Sequence, residues 1–223
     1  MGNKIIFALT FVFSILTIKA QEVYLRKIYN IEKEQKDKFL YSLEKVGENS
    51  KILGELEVIG NPTDTQELFK KIYNKAKEIG ANTYSIKRFE NVDGGYQEVD
   101  LSHFKLNLYN TPTEEISQNN GMIYIVSDSK SHQIRINNDN VTLQENTYFG
   151  KKLLPSESIT ISTKKLLGST IRYTNSNQEN VYFQISGFSI KANGVINLKS
   201  GDVTKLDTSY GQFLVSIFQP IQL

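Results

Sequence analysis

The sequence predicts an α+β protein: a two-layer α/β unit with one main helix, followed by an antiparallel β-sandwich domain. Three observations carry this. One amphipathic helical pattern, TDTQELFKKIYNKAKEIG, lies between runs of strand character. From Gly121 onward, short β-branched and aromatic runs alternate with turn sequences. Between the two parts, TPTEEISQNNG (111–121) is polar, with Pro112, two glutamates and paired asparagines, the composition of a linker. The chain then divides into 21–111 as the α+β domain, 112–121 as the linker and 122–223 as the β-sandwich domain.

The first element in order is a leader. MGNKIIFALTFVFSILTIKA has a basic start at Lys4, a 14-residue apolar run from Ile5 to Ile18 and a small residue, Ala20, before Gln21. That is the layout of a secretory signal peptide. A permanent membrane helix needs about 20 apolar residues, so no transmembrane anchor is expected after cleavage. No cysteine follows the run, so no lipid anchor on Cys forms. Removing 1–20 takes away Lys4 and Lys19, leaving 24 of the 26 Lys+Arg against 24 Asp+Glu. A neutral mature chain gives no basic footprint for nucleic acid, and the pairs Lys151-Lys152 and Lys164-Lys165 read as solvated surface. With no cysteine, stability rests on packed cores rather than disulfides, and thiol chemistry is excluded.

EVYLRKI (22–28) alternates Val23 and Leu25 against Tyr24 and Arg26, a strand with one buried face. IEKEQKDKFLYSLEKV is ambiguous between helix, loop and strand. ILGELEVIG (52–60) is a strand closed by Gly60-Asn61-Pro62. The helix follows. Leu68, Phe69, Ile72, Tyr73, Ala76 and Ile79 share one face, and Lys70, Lys71, Lys75 and Lys77 the other. Thr63 or Asp64 caps its start, with Gln66 or Glu67 three residues on. Gly80 closes its end in a left-handed conformation. Burying its four large apolar side chains contributes on the order of 6–12 kcal/mol before entropy, so it needs a sheet beneath it. NTYSIKRF supplies one strand and, after the turn NVDGGYQ, HFKLNLYN another, with Phe104, Leu106 and Leu108 on one face.

In the second part, MIYIV (122–126), QIRI (133–136), SITIST (158–163), NVYFQIS (180–186) and QFLVSIF (212–218) read as strands. SDSKSH, INNDNV, ENTYFGKKLLPSES, TNSNQEN, KANG and KSGD read as turns between them. The last strand is apolar on both faces. It is therefore expected either in the centre of a sheet or at an edge that a partner completes, which makes Phe213, Val215, Ile217 and Phe218 the expected partner surface.

Candidate chemistry is sparse. AKEIGANTYSI (76–86) has the look of a nucleotide-site junction, but its glycine lies at the carboxyl end of the helix. The amino-end turn GNPTDT holds Pro62, which has no N–H, and Asp64, which repels phosphate. His103, near Asp100 and Ser102, is the one frame for a hydrolase; His132, beside Ser131, is the other histidine. Both read as surface or strand-edge residues. Two separated histidines, the hairpin turn Asn137-Asn138-Asp139-Asn140 and the linker pair Glu114-Glu115 build no metal site or paired-carboxylate site, so no metal and no cofactor are expected. Most strand runs are shorter than the roughly 9–11 residues that an outer-membrane barrel uses.

Two resemblances add to this. LGELEVIG, LFKKIYNKAKEIGANTYSI and FKLNLY resemble the small α/β domain of exported bacterial proteins that include the Rcs-pathway outer-membrane stress sensor. The chain lacks that sensor's cysteines, so the resemblance implies the fold and neither sensing nor signalling. MIYIVSDSKSHQIRINNDNVTLQENTYFGKKLLPSESITI resembles secreted β-sandwich modules of the DUF2846 and PEGA-like kind. Neither implies a catalytic residue. The sequence thus points to an exported protein of a Gram-negative envelope, periplasmic or associated with the outer membrane or surface, that binds or scaffolds without catalysis. An envelope or outer-membrane protein is the expected partner, with the chain as an accessory subunit. The competing reading is an exported hydrolase with a site near Asp100 to His103.

Overall fold

The computed structural model describes residues 21–61, 64–87, 99–116, 120–163, 168–186 and 202–221. Residues 1–20, expected as a leader, Pro62, Thr63, the expected NVDGGYQ and KANG turns, most of KSGD, and Lys164-Lys165 lie outside them. The described residues are mostly sheet, with 14 strands in three sheets and two helices.

The first sheet contains β1 (Glu22–Ile28), β2 (Tyr41–Ser42), β3 (Lys51–Ile59), β4 (Thr83–Lys87) and β5 (His103–Asn110), in the order β1-β3-β5-β4-β2. Register turns the period-two pattern into an apolar face: Val23 lies opposite Val58, Leu56 opposite Leu106, Val58 opposite Phe104 and Tyr84 opposite Leu108. The ambiguous segment after β1 contributes only the two-residue β2, paired parallel to β4.

Helix α1 (Thr65–Glu78) covers that face with Leu68, Ile72 and Ala76. Asp64 is its N-cap and accepts hydrogen bonds from the Gln66 and Glu67 amides. At the other end, Gly80 N–H donates to the Lys77 carbonyl and Ala81 N–H to the Ala76 carbonyl, with Gly80 at φ +79°. These two bonds and a left-handed glycine are the Schellman closure. A Cβ on Gly80 would also overlap the Glu32 carbonyl, so the close approach of the preceding loop requires glycine here. Asn82 then ties β4 to the end of β5: its side-chain amide donates to the Thr111 carbonyl and its side-chain oxygen accepts from the Thr111 amide, both at 2.8 Å. Every residue of the Gly-Ala-Asn junction is therefore occupied with structure.

After a short 3-10 turn (Thr113–Glu115) the chain forms β6 (Met122–Ser127), β7 (His132–Ile136), β8 (Asp139–Leu143), β9 (Thr147–Lys152), β10 (Ser158–Thr163), β11 (Thr170–Thr174), β12 (Val181–Ile185) and β13 (Val203–Lys205). Helix α2 (Thr208–Ile217) and β14 (Gln219–Pro220) follow. One sheet has the order β11-β10-β7-β8 and the other β13-β12-β6-β9-β14. They share one apolar cluster, with Ile134, Ile136, Ile159 and Ile161 from the first and Ile123, Ile125, Phe183 and Ile185 from the second. The β7–β8 hairpin turns at Asn137-Asn138, with Asn137 at φ +53°.

Three expectations are corrected here. The larger of these two sheets is mixed rather than antiparallel, because β6 pairs parallel with β12 and β9 parallel with β14. The segment ENTYFGKKLLPSES, read as a turn, contains β9, whose Tyr148 and Phe149 alternate between the two faces of that sheet. QFLVSIF is a helix, not a strand. Tyr210, Phe213, Leu214 and Ile217 recur at i, i+3, i+4 and i+7, and Asp207 caps the start by accepting from the Ser209 and Tyr210 amides. The expected partner surface is therefore used within the chain: Phe213, Ile217 and Phe218 are buried and Val215 packs on the same core. That core belongs to the first sheet and α1, so the linker divides the sheets but not the packing.

Phe213 sits at the junction, with its ring centroid 5.2 Å from Phe69 and 6.5 Å from both Tyr84 and Phe104. On its other side α2 lies against an aromatic row on the mixed sheet, in which Tyr124 stacks on Tyr182 at 5.1 Å and meets Tyr148 edge-on at 5.9 Å. Gly211 permits the approach, since a Cβ there would enter the Tyr182 ring.

Two outcomes test this packing. Ile72→Asp puts an unpaired carboxylate at a position with 0% exposure, costing several kcal/mol, and is expected to abolish the cooperative thermal transition of the first core. Gly211→Ala is expected to destabilise by about 1–3 kcal/mol through overpacking against Tyr182, measured by urea unfolding. An unchanged midpoint for Gly211→Ala would show that α2 does not sit on Tyr182.

Candidate functional site

The space left where α1, α2 and the β12–β13 edge converge is a cleft of about 1230 Å³. Its floor is aromatic. Phe69 and Tyr210 have ring centroids 5.6 Å apart, and Tyr210 Oη is 2.8 Å from Thr65 Oγ1, joining the starts of the two helices. Burial raises the Tyr210 phenol above the ordinary tyrosine range. At the mouth, Phe39 stacks on Tyr41 at 5.6 Å and remains 43% exposed.

The loop carrying Phe39 is held by Lys77. Its ammonium donates to the carbonyls of Asp37, Phe39 and Ala81 at 2.7, 2.6 and 3.0 Å, and burial lowers its pKa. Tyr73 Oη donates to the Lys38 carbonyl at 2.7 Å. Leu40 N–H donates to Ser209 Oγ and Ser42 N–H to the Gln212 side chain, which fix the far side of the loop to α2.

The acids of the cleft are committed. Asp64 and Asp207 cap the two helices, and Glu67 faces Lys71 at 3.8 Å. Lys71 also donates to the Gln21 carbonyl at 2.9 Å. Lys38, Lys70 and Lys205 line the cleft from the loop, α1 and β13 respectively. The cleft draws its residues from both ends of the chain, so no local motif announces it. The signals that could have pointed to it are the Asp207 cap and the helical spacing of 210–217.

The histidines lie elsewhere and apart. His103 starts β5 and is on the sheet face opposite the core, its Nε2 2.7 Å from Glu57 Oε1. Arg26 Nε donates to Glu57 Oε2 at 2.6 Å, and Lys105 Nζ is 3.6 Å away. His103, then Arg26 and Lys105, hold the Glu57 carboxyl down at about 2. Asp100 and Ser102 form a local turn: Asp100 Oδ1 accepts from the Ser102 amide and hydroxyl at 2.8 and 2.7 Å, and His103 N–H donates to the Asp100 carbonyl. The Ser102 hydroxyl thus points its proton at Asp100, and the acid beside His103 is Glu57, which sequence proximity did not suggest. His132 differs from its surface reading: it is 8% exposed, with Nε2 2.7 Å from Asp128 Oδ1, and closes the turn into β7. Among the described residues no three His, Asp or Glu side chains gather to hold a metal ion, and no helix is long and apolar enough to cross a membrane.

The depressed Glu57 pKa fixes a pH dependence. Its ordinary value of 4.5 falls to about 2 in the folded protein, so its contribution to stability is complete above pH 4.5 and is lost as pH falls through about 2. Thermal melts of wild type and Glu57→Gln are expected to differ most at neutral pH and to converge below pH 4.5; a gap that stays constant down to pH 2 would show that the ion cluster does not form. Comparison of the chain with protein-family models, with curated proteins and with solved structures finds no match.

Proposed function

We propose that this chain is an exported, non-catalytic binding or scaffolding protein of a Gram-negative cell envelope, and that the cleft between α1, α2 and the β12–β13 edge is its binding site. The observation that carries the reading is the cleft itself: about 1230 Å³, aromatic-floored, with its acids engaged in helix caps and an ion pair rather than aimed at a reacting atom. The leader-like residues 1–20 support export, and the absence of cysteine fits a protein whose cohesion rests on packing. On this reading the first sheet with α1 is a two-layer unit of the kind found in exported envelope proteins. The two later sheets form a β-sandwich module, and an envelope or outer-membrane protein complex is the setting in which the chain acts as accessory subunit.

A photo-crosslinking residue placed at Asn74 or Lys205, both exposed at the cleft, tests the reading in cells carrying the native leader. Adducts with an envelope component are expected from these positions and not from exposed Thr142 on β8. Equal capture from Thr142 would remove the cleft as the site.

The hydrolase reading has one specific observation in its favour, the 2.7 Å contact of His103 with Glu57. A histidine oriented by an acid is half of a nucleophilic site. Hydrolysis of chromogenic acyl esters that disappears in His103→Ala would establish that reading and displace the non-catalytic one.

A further inference from the structure

We propose that the cleft takes an acidic oligosaccharide, a short run of sugars bearing carboxylate or phosphate; this rests on the cleft being the binding site. Three features of the cleft converge on that chemistry. Its volume of about 1230 Å³ exceeds the roughly 300–1,000 Å³ of small-molecule pockets, so an extended ligand fits it better than a metabolite. Phe39 at the mouth, stacked on Tyr41 and 43% exposed, offers a ring to the C–H face of a pyranose, whose polarised hydrogens meet the negative face of an aromatic ring.

The third feature is charge. Asp64, Asp207 and Glu67 are each engaged, two by backbone amides at helix starts and one by Lys71. Lys38, Lys70 and Lys205 form no ion pair among the described residues, and they approach from three separate walls. Three ammonium groups with no ion pair among the described residues, set around an aromatic floor, match anionic groups spaced along a chain of rings better than one compact anion. The exposed Asn74 amide lies on the same α1 wall and supplies donors and an acceptor for hydroxyls. Lys77 acts as a positioning residue, since it holds the Phe39 backbone without lining the cleft.

Titration calorimetry of the full chain with hexagalacturonate tests the assignment, with maltohexaose as the uncharged ring control and hexaglutamate as the ringless acidic control. Saturable binding of hexagalacturonate is expected, weakened about tenfold by Phe39→Ala and by Lys205→Gln and falling with added salt, while both controls bind at least about tenfold more weakly. A phosphorylated mannose oligomer bound as well as hexagalacturonate identifies phosphate as the natural anion and sustains the proposal. Phe39 and Lys205 are exposed, so unchanged thermal melts confirm that both variants are folded. Hexaglutamate binding as tight as hexagalacturonate, or binding indifferent to Phe39→Ala, overturns the sugar; equal binding of maltohexaose overturns the charge. If neither acidic oligosaccharide binds while crosslinks from Asn74 still form, the ligand class is wrong and the cleft stands. If neither binding nor crosslinks appear, both readings fall.

Discussion

The structure depends on one side chain reaching across the sequence. Phe213, with 0% exposure, packs beside Phe69, Tyr84 and Phe104, which come from a helix and two strands more than a hundred positions earlier. Without it the apolar face of the first sheet is only partly covered, because α1 supplies Leu68, Ile72 and Ala76 along one line while Tyr84 lies further across, toward β2. Burying a phenyl ring contributes roughly 1.5–3 kcal/mol, and aromatic neighbours add to that. A second helix is the simplest way to fill a two-helix width of sheet.

The same helix creates the cleft. Because α2 must touch both Phe69 on one side and the Tyr182 ring on the other, it stands between the two parts of the chain and props them apart beside the start of α1. Both helices then begin at the cleft, and each start carries its own aspartate cap. The positive ends of two helices are thereby met from within by the Asp64 and Asp207 carboxylates, and the cleft sets these acids and Glu67 beside lysines and aromatic rings.

Local grammar was legible in the sequence. The α1 pattern, the Asp64 cap, the Gly80 closure and the β5 alternation all rest on contacts within a few residues, where spacing and propensity speak directly. What was not legible depends on distant partners. Residues 210–218 satisfy a strand alternation through Phe213, Val215 and Ile217 and a helical spacing through Tyr210, Phe213, Leu214 and Ile217, and only the groove between Phe69 and Tyr182 decides between them. β9 was hidden because Gly150 and two lysines dilute its pattern, and pairing with β6 overrides weak propensity. The cleft had no sequence signature, since its walls come from residues 38–74 and 184–210.

The Gly211 approach and the bonds from Leu40 to Ser209 and Ser42 to Gln212, which span 169 and 170 positions, bear on how the chain is made. Contacts so far apart close the largest loops and form late. The first core therefore lacks part of its interior until Phe218 has been synthesised.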